Sequence, residues 1–234
     1  MLGMFDPLYM IIMAPVLIFS LVAQYMVKRR YTTYSEHALS SGRTGADIAR
    51  QILRANGVDD VEVEETEGWL SDHYSPIEKV LRLSEGVYHG RSVAAAGIAA
   101  HEAGHALQHA TGYAIMNVWQ TLAKPAAIAS NMAFWIIMLG TFMQAMGMVK
   151  LGIMLFAVLV VFQIVTLPVE FNASSRAKNL LYEYNIIRGD ERDGVAAVLG
   201  AAAMTYVAAA ASSIAQLLYF LLRSGLLGGG NRDD

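Results

Sequence analysis

Four long stretches without a single charge constrain this chain more than any other feature. Residues 8–27 are 20 consecutive uncharged positions that stop at Lys28, Arg29 and Arg30. As a helix such a run is about 30 Å long, the thickness of a bilayer's hydrocarbon core. Pro15 interrupts it, which membrane helices tolerate. Further uncharged runs cover 126–148, 151–169 and 195–222, with Lys150 between the second and third. In the second, Asn131, Gln144 and a few hydroxyls are the polar groups. The fourth is rich in Ala and carries Gly200, residues that let helices approach closely. It is longer than one crossing needs, so part of it is expected to project into water. Hydrophobic residues make up 55% of the chain and charged ones 16%, against about 25% in soluble domains. The expected fold is therefore mainly α, a multi-pass membrane protein with about four transmembrane helices and a small α+β insert. Residues 1–7 have no basic n-region and no small-residue cleavage site closes the first run, so it reads as a retained span.

Loop charge gives an orientation. With Lys28 inside, segments 28–125 and 170–194 hold 14 of the 17 Lys and Arg residues, leaving Lys150, Arg223 and Arg232 outside. Lys28, Arg29, Arg30, Lys124, Arg176 and Lys178 count most, because they sit beside span ends. The N-terminus is thus expected outside and both polar segments in the cytoplasm. The organisation follows: 1–28 an N-terminal transmembrane helix, 29–124 a cytoplasmic α+β region, 125–169 a transmembrane hairpin, 170–193 a cytoplasmic segment, and 194–234 an Ala-rich transmembrane helix with a frayed tail.

Within the insert, Ala46, Ala49, Ile52 and Leu53 fall at helical spacing, with Thr44 as N-cap and Gly57 past the C-terminus. Residues 58–64 and 79–83 alternate as strands, and Val80–Ser84 is read either as an edge for an extended substrate to join or as an ordinary sheet strand. Small and apolar residues predict a helix over 92–110, ended near Gly112.

That last helix carries the chemistry. His101-Glu102-Ala103-Gly104-His105 fits HExxH. Residues i and i+4 lie about 40° apart around a helix, so both imidazoles can meet one ion. Glu102, about 100° round, cannot easily join them but can reach a water at the ion and act as general base. The surrounding alanines make a nearly bare helix, on which two His and one Glu would otherwise be unexplained. The chain has no Cys, so a metal must be held by His and carboxylate. A third His six residues after His105 would stand at 111, where the chain has Thr111, and His109 lies too straight along the helix. Downstream carboxylates are Glu170, Glu183, Asp190, Glu191 and Asp193. Glu170 stands out at the end of the third run, which two crossings return to the side of His101.

The stretches Asp72-His73-Tyr74-Ser75-Pro76, Leu81-Arg82-Leu83-Ser84 and 99–108, with Thr44-Gly45-Ala46 upstream and 169–174 downstream, resemble the YugP-type family of bacterial membrane zinc metallopeptidases. The likeness runs in order through nearly the whole chain. It implies a multi-pass membrane peptidase with one zinc ion per chain and His101, His105 and Glu170 as ligands. In distantly similar HtpX-type peptidases an Asp follows the ligand Glu by four residues, and here that place is Ser174. Candidates to support a ligand or a developing oxyanion are Ser174, Arg176, His109, Tyr113 and His73. The function expected is a zinc-dependent endopeptidase acting on peptide or protein substrates at the cytoplasmic membrane face. An intramembrane protease and a non-catalytic metal-binding scaffold are the alternatives. The first would need an Asp-bearing motif in a later span, and no Asp lies between Asp72 and Asp190; the second has no need of Glu102. A net charge of −3 gives no reason to expect nucleic acid as a partner.

Overall fold

The computed structural model describes residues 6–226. In chain order it contains α1 (Pro7–Ser35), α2 (Gly45–Ala55), β1 (Glu62–Thr66), β2 (His73–Ser75), β3 (Val80–Ser84), α3 (Glu85–Tyr88), α4 (Val93–Ala110), α5 (Ala114–Phe142), α6 (Met146–Glu183) and α7 (Glu191–Arg223). Among the described residues, α1, α5, α6 and α7 are long and apolar enough to cross a membrane. The tail beyond residue 226 lies outside the described residues.

The chain divides into two compact units, one of Met1–Val22, Val118–Leu167 and Tyr206–Asp234, the other of Ala23–Asn117 and Pro168–Thr205. Among the described residues the first unit contains helices and the turns that join or end them, and no strand. In it α5 and α6 turn back on each other within three residues, with Gln144 in the left-handed region at φ 55°. Glycines let the pair approach: a Cβ on Gly140 would stand 2.8 Å from Met148, and one on Gly152 2.5 Å from Ile137. The turn thus comes earlier than the expected break after residue 148. Apolarity marks how much chain can be buried in lipid, not where it reverses.

The second unit holds the α+β insert. Thr44 caps α2 through a capping box with Asp47, and Gly57 at φ 70° follows its end, as the residue types predict. The apolar face of α2 (Ile48, Ile52, Leu53) meets Leu81 and Leu83 of β3, Val87, the alanines of α4, Leu181 of α6 and Val195 of α7 in one buried cluster. The sheet order is β1-β3-β2, with β1 parallel and β2 antiparallel to β3. Of the two readings of residues 80–84, the sheet edge is overturned and the ordinary sheet strand holds. β3 is paired on both sides and buried on both faces, and β1 and β2 are the edges. The first strand also starts later than expected, at Glu62, because Val58 is still tied to the end of α2 through Leu53.

Helices outlast the apolar runs. α1 continues past Lys28, Arg29 and Arg30 to Ser35, since basic side chains end a hydrophobic stretch without breaking a helix. Glu170 does not terminate α6 but sits inside it, with the helix running on to Glu183. Of the 38 residues of α6, roughly 57 Å of helix, about 20 suffice for a bilayer.

α4 lies buried between parts of α6 and α7. Gly97 faces Val195 and Leu199 of α7 at ordinary contact distance, 3.5–3.9 Å for an added Cβ. Gly104 faces α6 far more tightly, its Cβ position only 2.9 Å from the Ala173 carbonyl oxygen. Gly104→Ala is therefore expected to force α4 and α6 apart and to cost about 1–3 kcal/mol, whereas Gly97→Ala should be tolerated. Thermal midpoints of the two variants in detergent check this, and equal behaviour would contradict the packing described.

Candidate metal centre

Three side chains from α4 and α6 converge inside the second unit. His105 Nε2 lies 3.1 Å from His101 Nε2, and Glu170 Oε2 lies 3.2 Å from His101 Nε2 and 3.6 Å from His105 Nε2. The imidazoles meet edge to face, with ring centres 4.7 Å apart. All three side chains are largely shielded, at 9–12% exposure. This is the group of His, Asp and Glu side chains, among the described residues, whose ligand atoms come together closely enough to hold a metal ion.

What the neighbours do to these atoms decides the chemistry. Arg176 Nε can only donate, and it bonds Asn172 Oδ1 at 2.9 Å. The group of Gln108 that meets the same oxygen at 3.0 Å must therefore be its NH₂, which also donates to the Val169 carbonyl at 2.8 Å. That leaves Gln108 Oε1 facing His105 Nδ1 at 3.0 Å as an acceptor, so Nδ1 carries the proton. With its proton held at Nδ1, the His105 ring, when neutral, offers the lone pair of Nε2. Ser174 Oγ, 3.2 Å from His101 Nδ1, can accept in the same way. Two imidazole lone pairs and a carboxylate oxygen thus point into one small space, an arrangement that repels itself unless something positive sits among them. The field is visible at His105. Burial opposes charge on this ring, yet the hydrogen bond to Glu170 and the nearby Glu102 outweigh it and move its pKa up to about 9, so at neutral pH a proton takes the Nε2 lone pair unless a metal cation displaces it.

The spacing suits zinc. Tetrahedral ligands at about 2.0–2.1 Å from an ion stand roughly 3.3–3.4 Å from one another. The three separations here, 3.1, 3.2 and 3.6 Å, bracket that value.

Glu102 is on α4 but not in the triplet, as its position around the helix predicts. It is buried, with 8% exposure. Burial raises its carboxyl above the ordinary range, and the charges of His101 and His105 pull the other way.

The remaining sequence candidates separate. Ser174 touches His101 directly, while Arg176 reaches the centre only through Asn172 and Gln108. His109, one turn beyond His105, accepts from or donates to the Tyr74 hydroxyl at 2.8 Å. His73 is exposed on β2, its ring bonded to the Ser71 carbonyl. Tyr113 follows the end of α4, its backbone N–H bonded to the Gln108 carbonyl. Neither belongs to the triplet. Gln108, fully buried, is the supporting group that sequence reasoning passed over. Its spacing was a signal, since it stands three residues after His105 and seven after His101, on the same helical face. Asp72, in the same stretch as His73, also has a structural task. Its half-buried carboxylate accepts from the N–H and hydroxyl of Ser84, tying the start of β2 to the end of β3.

The profile of a family described as "Putative neutral zinc metallopeptidase" covers residues 9–225. The chain belongs to that family. It is 48% identical over 200 residues to the "Putative membrane protease YugP" of Bacillus subtilis (strain 168), spanning 86% of this chain and 89% of that protein. No solved structure matches it.

Proposed function

We propose that this protein is a membrane-embedded zinc endopeptidase in which His101, His105 and Glu170 hold the ion and Glu102 is the general base. The observation that carries this reading is the convergence of three lone-pair donors at zinc-like spacing, with both Nδ1 atoms occupied by neighbours. A bound zinc ion supplies Lewis acidity, bringing the pKa of water down to about 7 and polarising a scissile carbonyl. The chain's own part is proton traffic and orientation. Glu102 takes the proton of the attacking water as its oxygen bonds the carbonyl carbon, and delivers a proton to the amine as the C–N bond breaks. Its raised affinity for a proton suits both halves of that task. Gln108 and Ser174 keep the two imidazoles turned toward the ion.

The insert is read as zincin-like and the site as lying at the cytoplasmic membrane face. α4 is not among the helices long and apolar enough to cross a bilayer, which favours a surface site over the intramembrane alternative. With no Cys in the chain, single thiols report the topology without background. Cysteines replacing Ile77 and Asn179 should resist an impermeant maleimide in intact cells. A cysteine replacing Gly147, where an added side chain meets nothing, should react. Labelling at 77 but not at 179 would put His101 and Glu170 on opposite sides and end the proposal. Substrates are found by comparing membrane proteomes of cells carrying the native chain and Glu102→Gln. Fragments present only with the native chain are expected, and their absence would count against peptidase activity.

A further inference from the structure

The turn 67–71, between β1 and β2, presents the largest side chain of the insert to the outside. Trp69 is 60% exposed at its tip, between Gly68 at φ 104° and Leu70 at φ 52°. A leucine in the left-handed region is uncommon, and this backbone holds Trp69 outward rather than letting it fold onto the core. Its ring stands edge to face with Tyr31 of α1, centres 5.6 Å apart. Tyr31 in turn is fixed from behind, its hydroxyl against Gly86, where an added Cβ would lie 2.9 Å away.

The place of Tyr31 along α1 gives the level of this contact. The uncharged run ends at Val27, Lys28, Arg29 and Arg30 follow, all exposed, and Tyr31 is four residues on. Four residues of helix rise about 6 Å. The headgroup layer on each side of a bilayer is roughly 5–8 Å deep. Tyr31 and the Trp69 ring against it therefore fall within the headgroup layer, where amphipathic aromatic rings are favoured. Tyr25, 63% exposed on the same helix, marks the inner margin of that layer.

From this we infer that Trp69 is a membrane-interface anchor: the turn 67–71 docks the insert onto the lipid surface beside the exit of α1. The partner is the lipid interface rather than an anionic headgroup in particular. Glu65, Glu67 and Glu85 line the same hollow as Tyr31 and Trp69, so this face carries as many carboxylates as there are cations at 28–30. Zwitterionic lipid is thus sufficient.

The chain has three Trp residues, so replacing Trp119 and Trp135 with Phe leaves Trp69 as the sole indole. In phosphatidylcholine liposomes its emission should be blue-shifted from that of indole in water. It should lose most of its intensity when the lipid carries a doxyl group high on the acyl chain, and little to iodide on both sides of the bilayer. Because Trp119 bonds Thr166 and its loss can disturb the helices, a second probe avoids that change. Trp69→Cys labelled with nitrobenzoxadiazole should report a lipid environment, and the same label on Ile77→Cys, 81% exposed in the native chain, an aqueous one. Strong iodide quenching without doxyl quenching, or identical label spectra at 69 and 77, would overturn the inference. These readings are optical and need no peptidase activity, so they can fail while the proposed chemistry stands.

Discussion

Glu102→Gln should abolish peptide cleavage while the protein keeps its zinc. The amide is nearly isosteric with the carboxylate, so the helix and the packing of α4 are preserved, but it cannot take a proton from water. Loss of a general base typically costs about 10²–10⁴-fold in rate. The zinc content should not follow, because Glu102 lies outside the converging triplet. Removing a buried carboxylate held above its ordinary pKa should even leave the fold slightly more stable, since burial disfavours its charged form. Zinc stoichiometry, turnover and thermal midpoint measured on one detergent preparation separate these effects. Zinc lost together with activity would make Glu102 structural.

Glu170→Ala should have the second large effect, this time on the metal. It removes the only carboxylate among the three donors and leaves two imidazoles that hold an ion weakly. The loss in affinity should exceed the roughly 10–100-fold that follows removal of groups which merely support a ligand. Each tenfold corresponds to about 1.4 kcal/mol. Glu183→Ala is the control, since Glu183 is exposed at the end of the same helix. Asn172 grades the effect. Asn172→Leu deprives Gln108 and Arg176 of their shared acceptor and should weaken zinc by the smaller amount, while Asn172→Asp, which still accepts from both, should restore it. Competition with a chromogenic chelator measures all four. Zinc retained by Glu170→Ala and lost by Glu183→Ala would reverse the ligand assignment.

Much of this was legible in the residues. The four uncharged runs mark the four long helices, because burying backbone in lipid requires length and apolarity that no soluble segment needs. The capping box at Thr44 and Asp47 and the glycines at 57 and 112 mark helix ends through their local backbone chemistry. HExxH carries its own geometry, as two imidazoles one turn apart are neighbours in any helix. Sheet order was not legible. Residues 80–84 alternate like an edge strand, and only the return of the short β2, three residues before a turn at Pro76, makes β3 central. The run of α6 past Glu170 goes unmarked by hydropathy, which falls there and reports the end of the apolar stretch and not the end of the helix. The hydrogen-bond chain from Arg176 to His105 depends on two helices facing each other across Gly104, a contact that leaves no periodic trace.

X-ray absorption at the zinc edge of the purified, zinc-loaded protein reads the ligand set itself. A site of His101, His105 and Glu170 should give a four-coordinate ion with two imidazole nitrogens and oxygen donors at about 2.0–2.1 Å, and Glu170→Ala should lose that signature. Three or more imidazoles around the ion, which would draw in His73 or His109, or a spectrum unchanged by Glu170→Ala, would contradict it.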